Sequence, residues 1–341
     1  MPQSAFEANL KPASLWIFDA RTDLLFVANL YWPLLLIPSL VVTDRQGPLD
    51  FLQTYFLSTP HRWITLFLVL ADSSRRGKNT LKMVWLAVAT AIGIGIVHGR
   101  FGYLICLLWL DFVWNAWHFA AQHAGVLAIY ARKSGHVLPN AVKWSMRLTL
   151  TTVIVMVPMD NYMSSDLGKS FALMAAGGML AMSFLYLQSR VRYSIPANCY
   201  FLSVLGLYGG IFCCGMTSLH TASNALFFGA SLFHAVEYLA VVSRYVISKE
   251  SAGAFITGLP RTLPWNFRLG GYLLGCGSAL MYIQSNWPEL SAAVNLWAAF
   301  LHYAFDGWIW KLRDPATAKM VTANPVTVSL GGKPVAVVVP N

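Results

Sequence analysis

Met83-Val-Trp-Leu-Ala-Val-Ala-Thr-Ala-Ile-Gly-Ile-Gly-Ile-Val97 carries no charge, and the charged residues that bound it are Lys82 and Arg100. At 1.5 Å per residue the segment 82–98 has about the ~17 residues that a helix needs to cross a bilayer core. Comparable runs continue on both sides, at roughly 24–42, 51–71, 101–130, 143–159, 169–188, 196–219, 223–246, 268–285 and 290–311. The chain of 341 residues is 57% hydrophobic and 11% charged, where soluble domains are about a quarter charged, so a soluble fold is excluded. The fold class that follows is all-α, a polytopic transmembrane bundle of about ten spans.

The net charge of +10 reads as topology rather than as a nucleic-acid footprint. With the N-terminus inside, only Arg45, Arg62, Arg100 and Lys169 fall on the outer side or within spans, and the other 20 of 24 basic residues face the cytoplasm. The positive-inside rule therefore predicts both termini inside. Residues 1–23 form a cytoplasmic segment, 24–312 the bundle and 313–341 a cytoplasmic tail. Within that tail Val326–Leu330 and Val335–Val339 alternate as two short strands around Gly331-Gly332, a β-hairpin signature. Cys106, Cys199, Cys213, Cys214 and Cys276 lie in apolar runs without a C-x-x-C pair, which leaves no disulfide framework or zinc ribbon.

Ionisable groups inside a bilayer are costly, so those at mid-depth mark function. Counting from the cytoplasmic ends of their segments, His61 lies about 11 residues in, His118 and His123 about 14 and 9, His234 about 10 and His302 about 9. These offsets place five imidazoles about 13–21 Å deep on four helices. Glu237 follows His234 by three and Asp306 follows His302 by four, while Asp111, Asn115, His118 and Gln122 advance along one face. His123, five residues after His118, is turned about 140° from it and joins the same site only if the helix is distorted or the site is broad.

This nitrogen and oxygen inventory predicts a metal centre: His61, His118, His123, His234, His302, Glu237 and Asp306 as ligands, with Glu237 and Asp306 as the carboxylates acting in the chemistry. Asp111, Asn115, Gln122 and Arg62 stand around them to orient ligands, and Arg62 pairs with Asp111 or holds a substrate anion. A hydrogen-bonded core or proton path, and haem ligation, are the competing readings of the same residues. Trp109, Trp114, Trp117, Trp297, Trp308 and Trp310 share helices with the candidate ligands, either as core packing or as the wall of an apolar cavity.

Several patches resemble polytopic bacterial membrane proteins of unassigned function. They are Trp16-Ile-Phe-Asp-Ala-Arg-Thr-Asp-Leu-Leu25, Pro60-His-Arg-Trp-Ile-Thr65, Trp117-His-Phe-Ala-Ala-Gln-His-Ala-Gly125, Phe233-His-Ala-Val-Glu-Tyr-Leu239 and His302-Tyr-Ala-Phe-Asp-Gly-Trp-Ile-Trp-Lys311. More loosely the chain resembles the histidine-bearing membrane non-haem iron oxygenases, of the desaturase, hydroxylase or carotenoid-dioxygenase type. The H-x-x-x-H and H-x-x-H-H boxes of the desaturases are absent, so the resemblance is one of site chemistry. It implies an O₂-dependent oxidoreductase of a bacterial inner membrane with one or two irons, a lipid or other apolar substrate, and an electron-donor protein or further membrane subunits as partners.

Copper or zinc fits the same donors, and zinc would suit a lipid hydrolase with a carboxylate as general base. A transporter or assembly subunit with a histidine and carboxylate proton path is the reading from a different class.

Overall fold

A computed structural model describes residues 14–35, 54–71, 80–156, 166–217, 219–251 and 263–309, and the backbone of 325–330 and 333–338. Ten α-helices lie within them: α1 Ala20–Thr22, α2 Thr59–Ala71, α3 Thr80–Phe101, α4 Ile105–Lys133, α5 Asn140–Met156, α6 Asp166–Gln188, α7 Ile195–Met216, α8 His220–Ser251, α9 Trp265–Asn286 and α10 Pro288–Ile309. The helical body carries no strand among the described residues. Beyond it, Pro325–Leu330 (β1) runs antiparallel to Lys333–Val338 (β2), with Leu330 opposite Lys333.

Four helices are long and apolar enough to cross a membrane: α3, Gly168–Gln188 of α6, α7, and Thr221–Ser248 of α8. Their surroundings differ. The apolar window of α3 is 11% buried and turns Leu81, Trp85, Ile92 and Ile96 outward, whereas that of α8 is 67% buried. Apolar side chains held outside a packed bundle are what a hydrocarbon environment requires, so this is a membrane protein in which α3 is peripheral and α8 central.

Two groups of helices make the body. The largest buried cluster draws on α4 to α8, through residues such as Leu127, Met146, Met182, Leu207 and Phe233. Three smaller clusters join α2 to α8 and α9, α2 to α3 and α10, and α3 to α4 and α10. Helices α4 and α8 thus face α2 and α10 across a seam.

The segment leading into α2 is a π-turn, Thr54–Ser58. Pro60 lacks an N–H and cannot donate to the carbonyl four residues back, which favours a change of helical winding there. Two contacts from α9 fix it. Tyr272 OH donates to the Pro60 carbonyl at 2.7 Å, and a Cβ at Gly277 would stand 2.6 Å from both the Tyr55 carbonyl oxygen and the Phe56 ring. His61 therefore projects from a helix start clamped by its neighbour.

The first apolar run, 24–42, reads as one helix, but its described part is broken. Asp23–Val27 is a π-turn, Asn29 takes φ 44°, and Trp32–Leu35 is a 3₁₀ turn. Tertiary bonds hold this path. Asp23 accepts from Ile17 N (2.6 Å), Phe18 N (2.9 Å) and Tyr130 OH (2.9 Å); Asn29 Nδ2 donates to Phe233 O, and Ser203 Oγ to Ala28 O. Upstream, Asp19 caps α1 by accepting from Thr22 N and its hydroxyl, which hold its carboxyl below the usual range. Residues 1–13, 36–53, 72–79, 157–165 and 310–324, with their parts of the expected spans and tails, lie outside the described residues.

Candidate metal centre

Each of α2, α4, α8 and α10 delivers one imidazole to the seam. The ring centroids of His61 lie 5.0 Å from those of both His234 and His302, and His118 lies 4.9 Å from His234 and 4.7 Å from His302. Donor atoms of His61, His234 and His302 all fall within 4.8 Å of one another, as do those of His118, His302 and Asp306. His302 belongs to both sets. All five side chains are buried, His234 and His302 completely.

The hydrogen bonds explain which atoms face inward. His302 Nδ1 lies 2.7 Å from Thr65 Oγ1, which also contacts Tyr238 OH; Tyr238 OH donates to Asp306 Oδ1 at 2.8 Å. Thr65 has one hydrogen, so the network is consistent when His302 Nδ1–H donates to Thr65 and Thr65 directs its own hydrogen toward Tyr238 or Asp306. That tautomer leaves a lone pair on His302 Nε2, 3.7 Å from Asp306 Oδ2. His118 Nε2 approaches the same carboxylate oxygen at 3.6 Å. His61 Nδ1, His118 Nε2, both nitrogens of His234 and His302 Nε2 have no hydrogen-bond partner among the described residues.

His123 and Glu237 form a separate neighbouring cluster. Glu237 Oε2 accepts from Tyr200 OH at 2.6 Å and lies 3.2 Å from His123 Nδ1; Glu237 Oε1 accepts from Gln122 Nε2 at 2.7 Å. Gln122 Nε2 also reaches the carbonyl of His234 at 3.0 Å. Helix geometry accounts for the separation. An offset of four residues leaves Asp306 about 40° from His302, an offset of three turns Glu237 about 60° from His234 toward α4 and α7, and the offset of five turns His123 about 140° from His118.

The remaining sequence candidates sit beside the imidazoles. Tyr303, whose ring centroid is 4.9 Å from that of His118, places its hydroxyl 2.9 Å from Asp111 Oδ1 and 3.0 Å from Asn115 Oδ1. The Nε of Arg62 is buried without a hydrogen-bond partner among the described residues. Thr65, Tyr238 and Tyr200, absent from the sequence-derived set, supply hydroxyls to the two clusters, and Tyr303, also absent from it, ties Asp111 and Asn115 beside them.

The arrangement suits a hard or borderline cation: imidazole nitrogens with one carboxylate and no thiolate match iron, copper, zinc or manganese. His61, His118, His234, His302 and Asp306 would hold one ion or two, with His302 oriented by Thr65. A cavity of about 590 Å³ reaches this centre, with His118, Tyr238, Tyr303 and Asp306 in its wall. No protein-family model, curated protein or solved structure matches the chain.

Proposed function

We propose that this chain is a membrane metal-dependent oxidoreductase, with one or two non-haem iron ions, that acts with O₂ on a lipid or other apolar substrate. The observation that carries the reading is the set of imidazole nitrogens with no hydrogen-bond partner among the described residues, gathered from four helices around Asp306. Each buried polar atom left unsatisfied costs about 1–3 kcal/mol, so the four lone pairs that four neutral imidazoles can offer, one per ring, cost on the order of 4–12 kcal/mol when nothing takes them, comparable with the whole stability of a domain. A cation that takes the lone pairs removes that cost.

In this reading iron supplies the redox chemistry and the chain supplies its setting. The four imidazoles and Asp306 hold the ion, Thr65 and Tyr238 fix His302 and Asp306, and the surrounding apolar helices exclude bulk water. The chain takes the ten-span topology with both termini cytoplasmic, in a bacterial inner membrane, and receives electrons from a separate donor protein. Elemental analysis of detergent-purified protein tests the proposal. Iron at one or two equivalents, lost in His234→Ala with the fold retained, is the expected result. Zinc would move the reading to hydrolysis, and no metal in freshly purified, folded protein would end it.

A further inference from the structure

The cavity at the candidate centre is asymmetric in charge. One part of its wall carries Arg132 of α4 and Lys143 and Arg147 of α5, and the only carboxylate among its described lining residues is Asp306, at the metal centre. Lys143 and Arg147 are four residues apart and share a helix face. Arg147 stacks over Trp117 and Trp144, its guanidinium carbon 6.0 and 5.4 Å from their ring centroids. Its Nε is buried without a partner among the described residues. Trp117 adjoins His118, whereas Arg132 lies 14 residues further along α4, about 21 Å at helical rise. The cations therefore line the route from the α4–α5 end toward the centre.

Between them the floor is apolar and open. Ala121, Gly125 and Ala128 follow His118 along α4 and leave the space that larger side chains would fill. Trp144, an exposed residue in the same wall, offers an aromatic side to a chain entering from the bilayer. A volume of about 590 Å³ is in the range of cavities that enclose a small organic ligand.

The geometry points to an anionic amphiphile as the ligand of this cavity, its carboxylate or phosphate head seated on Arg132, Lys143 and Arg147 and its hydrocarbon lying along the small-residue floor toward His118 and Asp306. As a binding site this stands on the cavity itself; as the substrate class it rests on the metal-centre reading above. Charge-assisted hydrogen bonds explain the choice of head, since a cationic head would meet three like charges and a neutral hydroxyl, though it can accept from Arg147 Nε–H, offers no negative charge to the three cations.

Competition with a fluorescent fatty acid on detergent-purified full-length protein tests it. Hexadecanoate or hexadecyl phosphate should displace the probe at concentrations at least about tenfold below those of hexadecanol, the scale of one lost charge-assisted bond. Hexadecyltrimethylammonium should be weaker still. Lys143→Gln with Arg147→Gln should erase the preference, and Arg147→Lys should retain part of it. Phosphatidylglycerol vesicles that displace the probe identify a membrane lipid as the source, while displacement by single-chain anions alone identifies a free fatty acid or alkyl phosphate.

Equal displacement by hexadecanol and hexadecanoate on the unaltered protein would overturn the inference whether or not the variants fold. Metal analysis of the same samples separates the two proposals. Anion preference without metal removes the metal centre and keeps the binding site, whereas metal without anion preference removes the binding site alone.

Discussion

Two buried polar clusters lie side by side, one at the seam and one between α4, α7 and α8; they are built from the same kinds of residue and differ in what their atoms do. Around Glu237 both carboxylate oxygens are used, by Tyr200, His123 and Gln122, and only His123 Nε2 and Gln122 Oε1 lack a partner among the described residues. Around His302 the hydrogen bonds run through Thr65 and Tyr238 to Asp306, and five nitrogens of four histidines have no hydrogen-bond partner among the described residues. A closed network locks helices together, whereas one oriented from outside with lone pairs turned inward is prepared for a cation. Residue type alone does not distinguish the two; the direction of the hydrogen bonds does.

The largest expected effect breaks the comparison at its open side. His234→Ala removes the imidazole whose two nitrogens both lack hydrogen-bond partners among the described residues, and should reduce bound metal to background while His123→Ala leaves the stoichiometry unchanged. Elemental analysis of the two variants in parallel decides this, and equal metal contents would dissolve the distinction. Thr65→Val should act less strongly, because it removes the acceptor of His302 Nδ1 and leaves the ligand in place. Metal affinity is expected to fall about 10–100-fold, as outer-shell losses typically do, read as the chelator concentration that strips the ion.

The smallest effect sharpens the closed side. Glu237→Gln preserves shape but sets an amide against Tyr200 OH and Gln122 Nε2, so denaturation should show a loss of about 1–3 kcal/mol with metal content intact. Loss of metal with unchanged stability would instead move Glu237 into the centre.

Much of this was legible in the sequence, and its failures have physical causes. Each run from 51–71 onward carries a helix, because uninterrupted apolar stretches leave the backbone only internal partners. The gathering of His61, His118, His234 and His302 followed from their comparable counts to the helix ends, about 9 to 14 residues, and the rotation of His123 from its offset of five. The path of the first run was not read, although Pro33 and Pro38 interrupt it, because bonds from α7 and α8 decide how Asn29 and Ala28 turn. Thr65, Tyr200 and Tyr238 were also missed. A hydroxyl on an apolar helix commonly bonds its own backbone, and partners 37 to 241 positions distant leave no mark in local spacing.

The way the centre is shared among helices also orders its birth. His61 leaves the ribosome first and its neighbour in the cluster, His302, is 241 positions behind. At about 5–20 residues per second that interval is roughly 12–48 s, during which the nascent chain holds an incomplete ligand set. The carboxylate arrives later still, with Asp306. Under the proposed function, an ion held by the whole set would be acquired only after α10 has been made and packed, which would make loading a step of maturation, open to whatever metal the compartment then supplies.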